Sequence, residues 1–394
     1  MPEDPAGGAR TSYGGPTIDA CAHHHWTNQL ELMEYMPEGW REFLGRPGAF
    51  PGGGVMAAVP VHKYQHPEGD KLTEAWPEAG GPPGSDLDTL RHQLLDRNRL
   101  ERVVLAHDAA IVAPTMPNHY LALEVAKAAN TWSAERWIGR DERIACLAMV
   151  PNQLPDEAAK EIRRIAATPG FVGVVMGGNG LGKPFGHPVY HPIYEAAAEC
   201  DLPVVLHAGG DATPDVITHT AGGGLPATYA EYEVLKAQPV MTHLVNMIVQ
   251  GVFEKYRGFR LMVAGVGIAW LPSLFWRFDT NYKTFRREVP WLNRSPSEVL
   301  WSSIRIGTWP LEQAPGREAL VRHMRAFGPV EDLLCYASGY PDREMDPAAA
   351  ASERLPAEWH AKVFHTNAAG FYRWPGGSPP RGPGTAAGGG TSPP

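Results

Sequence analysis

Residues 187–210, HPVYHPIYEAAAECDLPVVLHAGG, contain a predicted helix, a predicted strand and a candidate functional side chain in direct succession. His191–Cys200 has the apolar spacing of a helix, whereas Leu202–His207 includes the continuous apolar run PVVL, which is typical of a strand buried on both faces. The strand ends at His207, and the small residues that follow it would let a ligand approach the backbone. This stretch therefore predicts one unit of an α/β protein with a functional residue at the end of its strand.

The same alternation of strand and helix recurs along the chain. Eight β-rich runs are predicted as strands: Thr17–Ala22, Arg102–Ala106, Ile144–Val150, Phe171–Met176, Leu202–His207, Arg260–Ala264, Ser303–Gly307 and Leu333–Ser338. Segments with helical spacing follow them, for example Ala122–Ala129, Asp156–Ala167, His191–Cys200, Leu244–Tyr256, Glu318–Ala326 and Ala357–Tyr372. Eight such units predict a closed (β/α)8 TIM barrel, in which active-site residues lie at the C-terminal ends of the strands. A doubly wound open sheet is the alternative, and it is disfavoured because no GxGxxG motif follows the first strand.

The distribution of glycine and proline suggests how the 394 residues are divided. The chain has 43 glycines and 38 prolines, more than is usual for a compact protein. Residues 1–15 and 375–394 lack periodicity and apolar anchors and are predicted to be disordered tails. Residues 65–85 are predicted to form a surface insertion. We therefore expect residues 16–374 to form a single barrel domain.

Charge and cysteine usage exclude several classes of partner. The net charge is −8 and basic clusters are missing, which argues against nucleic acid as a partner. The sequence has no apolar run long enough to cross a bilayer and no secretory signal at its N-terminus, so we expect a cytoplasmic protein without a membrane partner. The four cysteines form no CxxC pair, which indicates reduced thiols: Cys21, Cys146, Cys200 and Cys335.

The strand ends contain a small set of candidate metal ligands. Cys21, His23 and, further on, His25 alternate along the first strand and should share one face. A thiolate and imidazoles on one face are typical metal ligands, and His207 on the fifth strand would reach the same metal from the opposite wall of the barrel. We therefore expect Cys21, His23 and His207 as ligands, with His24 pointing the other way. For Cys21, an inert packed thiol is an equal alternative.

Several longer stretches resemble the amidohydrolase-related family of metal-dependent hydrolases and non-oxidative decarboxylases, which includes aminocarboxymuconate semialdehyde decarboxylase. The resemblance extends from about Thr17 to Trp374 and is carried by TIDACAHHHW, the helix start Asn130-Thr-Trp132, HPVYHPIYEAAAECDLPVVLHAGG, GVFEKYRGFRLMVAGVGIAWLPSLFWRFD, VPWLNRSPSE, ASGYPD and NAAGFYRW. It implies a metal held by an acid or His and a His two apart on strand one, a His on strand five and an Asp on strand eight. A further His or Glu on strand six would act near the metal. His23 and His207 match two of these positions.

Three positions depart from the pattern that the resemblance implies. Cys21 stands where similar sequences have Asp or His, Gly265 where Glu or His is usual, and Gly339 where the family reads Ser-Asp-Tyr-Pro. The family's strand-eight Asp both helps to hold the metal and takes a proton from metal-bound water, so a glycine removes both roles. Candidates for a replacement carboxylate lie on nearby loops: Asp108, Asp211 and Asp342.

The first functional hypothesis is a working enzyme with an altered metal centre. It would be a metal-dependent hydrolase or decarboxylase of a small, aromatic or unsaturated carboxylic acid, with a divalent metal, zinc first among the candidates. Substrate contacts are predicted for His25, Trp26, His243, Trp270 and Arg277. Of these, His243 or Arg277 would bind the carboxylate, and Trp26 or Trp270 would form a pocket wall.

Two other hypotheses remain open from the sequence. One is a catalytically inactive barrel that serves as a structural or regulatory subunit of an intact paralogue, since a fold can persist without its chemistry. The other is a metal-free pocket that performs acid–base chemistry or binds a ligand with His107, His207 and Asp342. We also expect pairing, as a homodimer or as a heterodimer with such a paralogue, through the apolar segment LPSLFWRF at residues 271–278.

Overall fold

Eight parallel strands form one sheet in the order β1 to β8, each hydrogen-bonded to its neighbours in sequence. The structure, a computed structural model, describes residues 12–45, 66–111, 113–178, 181–209 and 226–374. The strands are β1 Thr17–His24, β2 Leu100–His107, β3 Ile144–Met149, β4 Phe171–Met176, β5 Val204–His207, β6 Leu261–Ala264, β7 Ile304–Gly307 and β8 Leu334–Cys335. The predicted α/β class and TIM-barrel architecture are therefore confirmed.

The sheet nearly closes between β1 and the chain that follows β8. The amide of Ala20 donates to the carbonyl oxygen of Tyr336 at 2.8 Å, and the amide of His23 donates to that of Tyr340 at 2.7 Å. Beyond Cys335 the backbone thus bonds to β1 instead of continuing β8, which is why β8 has two residues where the sequence predicted six. This seam brings the residues after β8 beside the end of β1.

Helices surround the strands. They are α1 Gln29–Met33, α2 Glu38–Gly45, α3 Leu87–Leu90, α4 His119–Arg136, α5 Pro155–Ala166, α6 His191–Glu199, α7 Tyr229–Leu235, α8 Ala237–Val249, α9 Val252–Lys255, α10 Leu271–Phe285, α11 Pro296–Ser303, α12 Arg317–Phe327, α13 Ala348–Arg354 and α14 Asn367–Phe371. Two π-helical segments, Arg91–Asp96 and Lys362–Thr366, precede β2 and α14. Among the described residues, no helix combines the length and apolarity needed to span a bilayer.

Local sequence signals set many helix ends. A proline occupies one of the first two positions of α5, α6, α10 and α11, where its missing N–H leaves no helical bond unmade. Ser295 and Glu298 form a capping box at the start of α11. The predicted helix over Leu244–Tyr256 is divided into α8 and α9, because Gly251 between them has φ +74°, in the left-handed region.

The segment predicted as a surface insertion lies against the C-terminal end of the barrel. The amide of His25 donates to the carbonyl oxygen of Gly84 at 2.9 Å, and the amide of Leu72 donates to that of Pro341 at 3.0 Å. These contacts connect the segment to the ends of the first and last strands. The C-terminal tail 375–394 and residues 1–11 of the N-terminal tail lie outside the described residues, so their predicted disorder stays a prediction.

Candidate metal centre at the mouth of the barrel

Cys21, His23 and His207 meet inside the mouth of the barrel. Nε2 of His23 lies 3.2 Å from Nε2 of His207, and one ligand atom from each of the three residues lies within 4.8 Å of the others. All three side chains are buried. The sequence placed Cys21 and His23 on one face of β1 and His207 on the opposite wall, and the structure brings them together as that pattern predicts.

The hydrogen bonds of the two imidazoles leave a lone pair directed into this cluster. Nδ1 of His207 lies 2.6 Å from the carbonyl oxygen of Ala208 and must carry the proton of that bond, so Nε2 carries a lone pair. Nδ1 of His23 is buried without a partner among the described residues. Two nitrogens on a tetrahedral zinc at ordinary Zn–N lengths stand about 3.3 Å apart. The observed separation of 3.2 Å fits a shared cation.

Burial gives the two imidazoles the protonation state that metal binding needs. It lowers the pKa of His207 to about 3, with the neighbouring His23 adding to the effect. It also lowers the pKa of His23, although Asp342 and Asp108 partly oppose it. For Cys21, burial raises the thiol pKa, and Asp19 and Asp342 raise it further. A metal ion at this site would therefore have to displace the thiol proton, as cations do at coordinating cysteines.

A further acid, Asp19, connects the candidate ligands to the seam of the barrel. Its Oδ1 accepts from the amide of Cys21 at 3.2 Å and from the amide of Ser338 at 3.0 Å. Burial raises its pKa to about 7, although the hydrogen bonds from Ser338 and Cys21 oppose the rise. Asp19 was not predicted as a site residue, although its position two residues before Cys21 on the same strand places both side chains on one face.

Two glycines at the mouth have left-handed backbone and face the rings of the site. Gly265 has φ +83°, and a Cβ built there would lie 3.2 Å from Cε1 of His207. Gly339 has φ +72°, and a Cβ there would lie 2.1 Å from Cε2 of Trp309. The indole of Trp309, which is 7% exposed, donates to the carbonyl oxygen of Glu344 at 2.8 Å. It therefore fills the space into which a side chain at position 339 would extend.

Three charged groups form an ion-pair cluster at the rim. Nζ of Lys71 lies 2.6 Å from Oδ1 of Asp342 and 3.1 Å from Oδ1 of Asp108. Burial alone would raise the pKa of Asp108, but Lys71, with His23 and His25, lowers it overall. Asp342 and Asp108 were candidate carboxylates in the sequence, and Lys71 was missed. Asp211, the third candidate, lies outside the described residues.

His107 points away from the mouth, against the expectation that it shares the pocket with His207. It is the register partner of His24 across β1 and β2, and side chains of partnered residues on parallel strands point to the same face. Nε2 of His24 lies 2.9 Å from Oγ of Ser133 in α4, so both rings lie under that helix. The ring of Trp26 packs 4.2 Å from that of His107, which places Trp26 in the same cluster.

The other predicted substrate contacts occupy separate places. His25 is half-buried and hydrogen-bonds through Nδ1 to the carbonyl oxygen of Trp26 at 2.9 Å. His243 is buried in α8 against Phe185, with ring centroids 4.3 Å apart. Trp270 is half-buried and donates to the carbonyl oxygen of Gly267 at 3.0 Å. Arg277 lies on the exposed side of α10.

One cation near the cluster of Cys21, His23 and His207 was not predicted from the sequence. Nζ of Lys236, between α7 and α8, lies 5.3 Å from the ring centroid of Trp309 and 2.5 Å from Oε2 of Glu233. The ring of Trp309 is in turn 6.4 Å from that of His207. The charge of Lys236 contributes to the lowered pKa of His207, after burial and His23. No sequence motif marks this lysine, because it reaches the mouth from a helix junction and not from a strand end.

An eight-stranded parallel barrel with two histidines and a cysteine at its C-terminal mouth defines the class of metal-dependent hydrolase-type TIM barrels. Residues 21–374 match the model of the amidohydrolase family. The chain belongs to this family, which confirms the resemblance seen in the sequence.

Three comparisons illustrate the similarity. The γ-resorcylate decarboxylase of Rhodococcus jostii is 27% identical over 203 residues, which cover 49% of this chain and 60% of that enzyme. A crystal structure of 5-carboxyvanillate decarboxylase from Novosphingobium aromaticivorans, complexed with manganese and a nitrobenzoic acid, aligns with a TM-score of 0.63 at 20% identity, covering 93% of this chain and 97% of that one. A dihydroxybenzoic acid decarboxylase from a Polaromonas species, with bound manganese and 2-nitroresorcinol, gives 0.60 at 18% identity, with 91% and 97% covered.

Proposed function

We propose that this protein is a metal-dependent, non-oxidative decarboxylase of a small aromatic carboxylic acid. The observation that carries the proposal is the contact of His23 and His207 through their Nε2 atoms at 3.2 Å, inside the mouth of a barrel of the amidohydrolase family. The sequence relative named above, the γ-resorcylate decarboxylase of Rhodococcus jostii, favours decarboxylation over hydrolysis.

The donor set favours zinc over manganese. Cys21, His23 and His207 offer one sulfur and two nitrogens, whereas manganese prefers carboxylate, carbonyl and water oxygens. Three protein ligands with an open position are an accepted catalytic zinc arrangement. The manganese in the two decarboxylase structures belongs to those proteins. When bound, the cation would supply Lewis-acid polarisation of a substrate oxygen.

The chain's own residues supply the proton chemistry. In decarboxylation the bond between the ring carbon and the carboxylate breaks, its electron pair stays on the ring carbon and takes up a proton, and carbon dioxide leaves. Asp342 is half-buried at the rim and holds Lys71 with Oδ1. We assign its ionised carboxylate the role of accepting a proton from the entering substrate and delivering that proton to the ring carbon. Trp309 excludes water from the side of His207 that faces its ring.

The test measures metal content and turnover together. We expect close to one zinc per chain in the purified protein and carbon dioxide release from γ-resorcylate or 5-carboxyvanillate, with benzoate as the control substrate. His207→Ala should lose both zinc and turnover, whereas His92→Ala, which changes an exposed histidine on the π-helical segment Arg91–Asp96, should keep both. Zinc binding without turnover of any hydroxylated benzoate would reject the decarboxylase function. Zinc-free protein that still decarboxylates these substrates would reject the metal centre.

One observation favours a second function. Because the indole of Trp309 occupies the space at Gly339, the family's strand-eight acid has no room here. An inactive barrel acting as a structural or regulatory subunit of an intact paralogue is therefore the alternative proposal. Purification from the native host distinguishes the two: elution with a paralogue and no turnover supports the subunit, whereas turnover by the chain alone rejects it.

A further inference from the structure

The segment at residues 69–72 pairs with the chain that follows β8. Lys71 and Asp342 form an antiparallel β-bridge. The amide of Leu72 donates to the carbonyl oxygen of Pro341 at 3.0 Å, and the amide of Arg343 donates to that of Asp70 at 2.9 Å. The backbone on both sides of Lys71 is thus fixed to the rim, and this directs the Lys71 side chain to one position there.

At that place the ammonium of Lys71 joins carboxylates from both sides of β1. Asp108 directly follows β2, and Asp342 lies beyond β8. These strands flank β1, which contains Cys21 and His23. With Nζ at 3.1 Å from one carboxylate and 2.6 Å from the other, the three groups have one net negative charge beside the candidate ligands.

We infer that Lys71 is a positioning residue of the proposed decarboxylase, which holds Asp108 and Asp342 together as an ionised pair beside His23. The inference rests on the proposed function, because it assigns a task to the same mouth. Two carboxylates that share a site repel each other, and one of them retains a proton unless a cation lies between them. Lys71 supplies that cation, and its side chain is only 23% exposed, so water screens the pair weakly.

The groups that face the carboxylates are few. His23 and His25 act on Asp108 together with Lys71. The negative charge of Asp342 acts electrostatically on both Cys21 and His23. The ammonium of Lys71 is in direct contact with both carboxylates. Among the described groups with a resolved influence on this cluster, the neutralising charge therefore comes from Lys71.

The experiment compares Lys71→Met with Lys71→Arg. We expect the acidic limb of the kcat/KM profile to move up by about one pH unit in Lys71→Met, since one carboxyl group of the pair then takes up a proton more readily. Lys71→Arg keeps the charge and should keep the limb near its original place. Lys127→Met, which removes a lysine from the outer face of α4, is the matched control and should leave the profile unchanged.

A second variant keeps the test valid if Lys71→Met folds poorly. In Lys71→Met/Asp108→Asn a single carboxylate remains, the repulsion is gone, and the limb should return towards its original pH. Carbon-13 NMR titration of labelled aspartate carboxyl groups in the zinc-loaded protein reports the same change without turnover, with the signals assigned from Asp108→Asn and Asp342→Asn.

The outcomes separate the two proposals. A carboxyl signal that moves in Lys71→Met alone, in a protein that turns over no aromatic acid, supports the charge assignment and rejects the proposed function. If Lys71→Met turns over the substrate and neither the acidic limb of its kcat/KM profile nor its carboxyl signals shift, the role of Lys71 is rejected. The proposed decarboxylase function is then unaffected.

Discussion

Gly339 and Trp309 show how two side chains determine the space around the candidate metal centre. A Cβ at position 339 would lie 2.1 Å from Cε2 of Trp309, and the backbone there has φ +72°. Any substitution therefore meets both a steric overlap and a strained conformation. The resemblance implied that position 339 should have an acid, and the structure gives the physical reason why this chain cannot place one there without changing Trp309.

We predict that Gly339→Asp destabilises the protein by about 2–5 kcal/mol, the sum of left-handed strain and overpacking. In a Trp309→Ala background the cost of the same change should fall to the strain alone, about 1–2 kcal/mol. Urea unfolding of the four proteins of the double-mutant cycle measures this coupling.

Gly139→Asp is the matched control for strain without overlap. Gly139 has φ +79°, and nothing lies within 4 Å of a Cβ built there. It should cost about as much as Gly339→Asp costs in the Trp309→Ala background. Equal costs for Gly339→Asp with and without Trp309 would contradict the overlap.

At the scale of elements, a buried asparagine joins α4 to β3 and α5. Nδ2 of Asn130 donates to the carbonyl oxygen of Met149 at 2.9 Å and to Oε1 of Glu161 at 2.7 Å, and its Oδ1 accepts from the amide of Met149 at 2.8 Å. All of these bonds are buried. The Asn130-Thr-Trp132 stretch that contributed to the family resemblance thus has a structural role: it fixes the position of a helix against the barrel.

Asn130→Leu should destabilise the protein by about 3 kcal/mol, because it removes three buried hydrogen bonds to Met149 and Glu161, although Arg164 still binds the Glu161 carboxylate. Asn118→Ala, at the N-cap of the same helix, removes one bond to the amide of Leu121 at the surface and should cost only about 1 kcal/mol. Chemical denaturation of both variants is the measurement. If both variants lose a similar, small amount of unfolding free energy, water must replace the buried hydrogen bonds of Asn130.

For the whole molecule, periodicity was sufficient to predict the barrel. Each of the eight predicted strands overlaps an observed one, because a continuous apolar run bounded by turns is a local property of the sequence. The predicted helix Ala357–Tyr372 is instead divided into a 3₁₀ turn at Ala357–Trp359, the π-helical segment Lys362–Thr366 and α14. Apolar spacing does not distinguish these from one continuous helix.

The candidate site could be predicted only where strand ends specify it. Alternation along β1 and the end of β5 gave Cys21, His23 and His207, which the structure brings together. Lys71 and Trp309 reach the mouth from loops, so their positions depend on tertiary packing that no local pattern encodes. His107 could not be placed because the face of its side chain depends on the register of β2 against β1.

Metal selectivity is a property of the whole folded chain, because Cys21 and His23 come from β1 and His207 comes from β5. An ion that binds only the folded barrel stabilises it by RT ln(1 + [L]/Kd), about 2.7 kcal/mol at a hundredfold excess over Kd. We therefore predict that zinc raises the Tm of the metal-free protein by about 5 °C. Manganese at the same concentration should raise it far less, since the ligand atoms among the described residues are a cysteine sulfur and two imidazole nitrogens. His207→Ala should abolish the zinc response. A larger shift with manganese than with zinc would show that oxygen ligands, and not Cys21, dominate the site.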